Sequence, residues 1–107
     1  MKAGVLHYNV KSEKISDFKR ALDRFLSELH QENPGFHAGL LFINPDLGKA
    51  FSIGFYDKPE SAQPLLSTDS YKKFLSEIRD YVTGEPTREL FDVSGDIDRI
   101  TGEREAA

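Results

Sequence analysis

The chain contains no cysteine, no tryptophan and a single methionine. No apolar run in it approaches the roughly 20 residues that a membrane-spanning helix requires. The lack of cysteine excludes disulfides, thiolate nucleophiles and Cys-ligated metal, and leaves the redox compartment open. Basic residues are also in short supply: 14 Lys and Arg stand against 18 Asp and Glu, a formal charge of −4. A nucleic-acid binder needs cations gathered on one face to neutralise phosphates. Here they are interleaved with acids, as in Glu13-Lys14 and Asp17-Phe18-Lys19-Arg20, which is the pattern of a solvated surface. No nucleic-acid partner and no membrane partner is expected. Residues Met1 to Asn9 have too short an apolar core for a signal peptide, so cytoplasmic residence is the expectation.

Several motifs are missing too. There is no G-x-G-x-x-G or Walker-type loop, since Gly48-Lys49 belongs to a turn, and no G-x-S-x-G elbow. The three histidines, at positions 7, 30 and 37, show no metal-ligand spacing, so no metal is expected. Acidic pairs such as Asp57 and Glu60 read as helix-entry charges rather than as a glycosidase pair.

What is present is one small domain. The chain has 107 residues, of which 38% are hydrophobic and 30% charged. Residues 1–94 read as a single domain and 95–107 as a charged tail, in which Ile97 and Ile100 are the only large apolar residues. Val5 to Lys11 alternates as a strand, with Leu6, Tyr8 and Val10 on one side and Val5, His7 and Asn9 on the other. Ser16 is the expected N-cap of a helix whose apolar stripe is Ile15, Phe18, Leu22, Phe25, Leu26 and Leu29. Asn33-Pro34-Gly35 ends that helix. Phe36 to Ile43 and Lys49 to Tyr56 form a hairpin around Asn44-Pro45-Asp46-Leu47-Gly48, with Gly48 in the left-handed position. Pro59 opens a helical segment that Pro64 bends or shortens, and Thr68, Asp69 or Ser70 caps a renewed helix. That helix buries Tyr71, Phe74, Leu75, Ile78 and Val82 and stops at Gly84-Glu85-Pro86. Thr87 to Val93 is the last strand.

The order β-α-β-β-α-β predicts an α+β, ferredoxin-like sandwich with two helices on one face of a four-stranded antiparallel sheet. The other face should alternate with polar residues if it met water. Instead Phe36, Ala38, Leu40 and Phe42 share one side of their strand, Gly39, Leu41 and Ile43 share the other, and Phe51, Ile53 and Phe55 line up on the next strand. Both faces want cover. The uncovered one spans roughly 400 Å² in projection, comparable to the largest patch a monomer usually exposes. A homodimer through the sheet faces is therefore expected.

These features resemble the antibiotic biosynthesis monooxygenase-like domains of the dimeric α+β barrel superfamily. The resemblance rests on Asn33-Pro-Gly-Phe-His-Ala-Gly-Leu-Leu-Phe, Asn44-Pro-Asp-Leu-Gly-Lys, Phe55-Tyr-Asp-Lys-Pro-Glu-Ser-Ala and Ser70-Tyr-Lys-Lys-Phe, within residues 4–93. It implies sheet-to-sheet dimers and a cleft between helices and sheet. Some such proteins oxidise polycyclic aromatics or quinols without metal or flavin, some degrade haem, and many have no assigned activity. Of the residues typical of the haem-degrading branch, Asn9 matches the asparagine. Leu65 stands where its tryptophan is expected and Leu75 where its histidine is expected, which argues against that scheme.

The expected function is a cofactor-independent monooxygenase acting on a small aromatic or quinol-like compound, with no cofactor. His7 would be the base and Asn9 the orienting amide. Tyr56 and Tyr71 would face the ligand, and His37 would reach the cleft or the dimer seam. His30, near a helix end, reads as structural. A non-catalytic dimeric module that binds a small apolar or aromatic ligand, or serves only as a scaffold, is the alternative, and a haem-binding variant with His37 as a displaced ligand is a third reading.

Overall fold

A computed structural model describes residues 1–95. Four strands, β1 (Lys2–Asn9), β2 (Phe36–Asn44), β3 (Lys49–Tyr56) and β4 (Thr87–Asp92), form one antiparallel sheet in the order β2-β3-β1-β4. Helix α1 (Ile15–Glu32) connects β1 to β2. Between β3 and β4 the chain makes a short helix α2 (Pro59–Ala62), a 3₁₀ segment (Gln63–Ser67) and helix α3 (Asp69–Ile78). This is the α+β ferredoxin-like arrangement. The expected tail over 95–107 lies, apart from Gly95, outside the described residues. Among the described residues no helix is long and apolar enough to cross a membrane.

The core lies between the helices and one sheet face. Phe18, Leu22, Phe25 and Leu29 of α1 and Tyr71, Phe74 and Ile78 of α3 pack on Leu6, Tyr8 and Val10. Phe25 and Phe74 stack nearly parallel, 4.5 Å between ring centres, and join the two helices. Outside this contact Lys73 pairs with Glu28 at 2.9 Å, and Arg24 pairs with Glu77. Such exposed pairs contribute about 0–1 kcal/mol each, so the aromatic contact dominates.

Four local expectations need correction. Ser16 does not cap α1: a 3₁₀ turn over Ser12–Lys14 runs directly into the helix, so Ser16 lies within its first turn. Helix α3 ends at Ile78, well before Gly84. The chain leaves the helix there because Lys11 N–H donates to the Tyr81 carbonyl at 2.8 Å and Thr83 N–H to that of Asn9 at 2.8 Å, which bridges Val82 to Val10 at the end of the first strand. That strand also begins earlier than expected, at Lys2. Finally, the pairing of β2 with β3 shifts register between Phe36 and Ala38, so that His37 is the extra residue of a β-bulge. The bulge resets strand parity. Phe36 therefore leaves the side of Ala38, Leu40 and Phe42 and turns to the helices, 5.3 Å from the Tyr56 ring and 4.7 Å from that of His30.

Other details follow the expected chemistry. Gly48 adopts φ +70°, and its carbonyl accepts the Val10 N–H at 2.6 Å. The Thr68 hydroxyl accepts the Tyr71 N–H and caps α3.

Candidate functional site

A half-buried arginine enters the helix-covered layer. Arg88 of β4 stands opposite Leu6 in the register and shares its face, so its side chain runs under α1 and α2. Gly4, two register positions away on β1 and on the same face, makes room for it: a Cβ there would sit 2.7 Å from Arg88 Nη2. Nη2 donates to the Ala62 carbonyl at 2.9 Å. Arg88 Nε is buried and has no hydrogen-bond partner. The surrounding void is also lined by Phe25, Leu29, Tyr56 and Leu65, and its volume is about 20 Å³, room for about one water.

Two phenols respond to the guanidinium. Burial pushes Tyr56 above the ordinary tyrosine range, and Arg88, first by its charge and then by a side-chain hydrogen bond, draws it partway back. Tyr71 is raised for the same first reason, with Arg88 opposing and Glu85 adding to the rise. Both are therefore neutral near pH 7, able to donate a hydrogen bond and unable to act as resting bases. Tyr8 is held out of this group: its hydroxyl is buried 2.9 Å from Ser52 Oγ, and burial raises it more strongly. Its ring packs edge-on to Phe18, 4.9 Å away, which makes it part of the core.

The other expected residues lie across the sheet. His7 and Asn9 alternate with Leu6 and Tyr8 and so point to the face without helices. His7 Nε2 is 3.7 Å from Glu89, and its ring lies 5.9 Å from that of Phe51, which stacks on Phe42 at 5.1 Å. His7, Phe42 and Phe51, with Asn9, Asn44, Lys49, Glu85 and Thr87, border an open depression of about 670 Å³. His37 is exposed on its bulge. The structure thus places His7 and Asn9 on the open face and Tyr56 and Tyr71 on the helix side, each under the influence of Arg88, and the sheet separates the two pairs. One substrate in the helix–sheet cleft cannot touch both, which corrects the expectation that His7 and Asn9 act on a ligand held by the tyrosines.

Arg88 was missed by sequence reasoning. The available signal was parity: Arg88 falls on the same side of its strand as Leu90, opposite Phe91 and Val93. An arginine at such a position can equally point into the layer or lie along its edge. The missing Cβ at Gly4, 84 positions away in sequence, is what admits it.

No protein-family profile matches the chain, and no curated protein matches it significantly. Solved structures do. A candidate antibiotic biosynthesis monooxygenase from Caulobacter crescentus superposes with a TM-score of 0.75 at 17% identity, covering 88% of this chain and 90% of that one. A second such candidate, from Nitrosomonas europaea, gives 0.71 at 17% identity, with 89% and 100% covered. SnoaB, a cofactor-independent oxygenase from Streptomyces nogalater, gives 0.69 at 15% identity, with 90% and 95% covered. The chain therefore has the fold of antibiotic biosynthesis monooxygenase domain proteins.

Proposed function

We propose that the protein is a cofactor-independent monooxygenase acting on a small phenolic or quinol-like aromatic held against Arg88. The observation that carries this reading is the buried, unpartnered Nε of Arg88 beside two neutral phenols under an aromatic roof. Leaving a buried donor unpaired costs about 1–3 kcal/mol, and more for a charged group. A substrate oxyanion would remove that cost, because charge-assisted bonds to guanidinium are the strong ones. The likeness in fold to SnoaB adds support.

The chemistry follows from charge placement. A ring CH₂ conjugated with a ring carbonyl loses a proton to a water molecule, which leaves as hydronium, and Arg88 holds the resulting negative charge on the carbonyl-derived aryloxide oxygen. Tyr56 and Tyr71 donate to the same oxygen. The carbanionic carbon adds dioxygen, and the peroxide takes up a proton to give a hydroperoxide. Loss of water leaves a carbonyl, so CH₂ and O₂ become C=O and H₂O. Phe25 and Phe74 exclude water from the intermediate.

Two copies pack sheet to sheet in this reading. On the face without helices Phe42, Phe51 and Phe91 remain 47%, 39% and 46% exposed, beside the half-buried Leu40 and Ile53. Covering what remains exposed of each phenylalanine contributes about 1 kcal/mol, roughly half of what a fully exposed side chain would gain.

The test is oxygen uptake with an anthrone-type substrate. Arg88→Met is expected to lose about 10²–10³-fold in turnover, the range for losing one oxyanion donor, while His7→Ala/Asn9→Ala keeps the wild-type rate. Equal rates in wild type and Arg88→Met would overturn the assignment. The closed state of the cleft, with room for about one water, favours the second reading, a dimeric ligand-binding or scaffold module without turnover. Ligand binding with no oxygen uptake would select it.

A further inference from the structure

One chain segment lies over Arg88 and is hydrogen-bonded to it. Segment 59–67, made of α2 and the 3₁₀ turn, covers the guanidinium. On its outer side a hollow of about 310 Å³ lies between this segment and the end of α1, bordered by Glu32, Asn33, Glu60 and Pro64. The hollow and the inner void share two residues, Leu29 and Leu65, which are 3% and 5% exposed. Their side chains are the wall between solvent and Arg88. Leu29 is fixed within an 18-residue helix. Leu65 sits on a five-residue 3₁₀ segment, the poorer hydrogen-bonding geometry, and Pro59 and Pro64 supply no N–H to hold it. Of the two leucines, Leu65 has the weaker backbone support.

The segment is tied down at two carbonyls. Asn33 Nδ2 donates to Ser61 O at 2.9 Å, and Arg88 Nη2 donates to Ala62 O at 2.9 Å. Nε and Nη2 are the two prongs of the guanidinium's side-on fork. One prong holds the segment and the other is empty. We propose that an aryl oxyanion entering past Leu65 takes both prongs, displaces the Ala62 carbonyl and releases segment 59–67, so that occupancy of the cleft and latching of the segment compete for Arg88. The proposal rests on the oxyanion reading of Arg88 given above. It makes a directional statement that an ordinary closing lid does not: the ligand loosens its own cover. When product leaves, the carbonyl returns to Nη2 and the leucine wall closes again.

The experiment is amide hydrogen exchange by NMR on the full chain, with benzoate as the probe, together with binding kinetics followed by tyrosine fluorescence, which no tryptophan obscures. Benzoate is expected to speed exchange at the Ser61 and Thr68 amides, whose bonds to Lys58 O and Leu65 O anchor the two ends of the segment, and to leave Leu22 and Phe25 of α1 unchanged. Leu65→Ala is expected to raise the association rate about tenfold. Arg88→Gln is expected to lose benzoate binding and to show fast exchange at Ser61 and Thr68 without any ligand. Binding with exchange slowed or unchanged at those amides overturns the latch and leaves the oxyanion reading standing. No binding by wild type or by Leu65→Ala overturns the oxyanion reading and the competition with it. Ligand-free exchange in Arg88→Gln equal to wild type overturns the latch by itself.

Discussion

The two faces of one sheet are built from alternate residues of the same strands, yet they differ in what they leave unfinished. On the helix side Leu6 and Tyr8 are sealed under Phe18, Phe25 and Phe74, and the unfinished element is a single donor, Arg88 Nε. On the other side Phe42, Phe51 and Phe91 face solvent, and the unfinished element is a wide apolar surface. The first deficit is small, polar and directional, and suits an oxyanion. The second is broad and non-directional, and suits another sheet. The conspicuous polar residues of the first strand, His7 and Asn9, belong to the broad face and lie outside the buried site.

The contrast can be broken by substitution. The largest effect is expected from Phe74→Ala, which removes a stacked ring from the covered face and should lower unfolding free energy by about 3–5 kcal/mol in urea denaturation. Phe42→Ala on the other face should cost less than about 0.5 kcal/mol in a dilute monomer. At the same time Phe42→Asp/Phe51→Asp should abolish assembly in sedimentation velocity. A single-chain particle for the wild type at micromolar concentration would remove the dimer. Next in size is Gly4→Ala, which forces Arg88 aside; overpacking of this kind costs about 1–3 kcal/mol, and the loss should be relieved in Gly4→Ala/Arg88→Ala.

Alkaline titration probes the covered face alone. Tyr8, Tyr56 and Tyr71 all have folded pKa values raised above 10.0 by burial. The folded state then holds its phenolic protons more tightly than the unfolded chain. The stability from each is fully present below pH 10 and declines above it, as the unfolded phenols ionise first, by up to about 1.4 kcal/mol per pH unit for each group. Chemical denaturation from pH 9 to 11 should show this decline, with a shallower slope in Tyr8→Phe. The smallest effect is expected on the uncovered face, where His7→Ala should change stability by less than about 0.5 kcal/mol, because its approach to Glu89 is exposed and 3.7 Å long.

Much of this architecture could be read from local pattern. Period-two alternation marked the strands, the stripe from Phe18 to Leu29 marked α1, and Pro45 with Gly48 marked the hairpin. Each signal lies within a few residues of the structure it specifies. The failures share another origin. Ser16 had the chemistry of a cap, yet a preceding 3₁₀ turn moved the boundary. Phe36 had the parity of the open face until a bulge at His37 moved it across.

Amphipathic periodicity, turn chemistry and the surplus of apolar strand residues are properties of neighbours along the chain, and the amino-acid order alone determined the β-α-β-β-α-β layout and the lack of cover on one sheet face. Which polar side chains meet was decided by register and by the space between layers. Gly4 lies beside Arg88, and Arg88 beneath Ala62, only because β1 pairs antiparallel with β4 and the connector folds back over both. Hydrogen bonding and desolvation depend on distances of a few ångströms between residues far apart in sequence, and only the folded chain sets those distances.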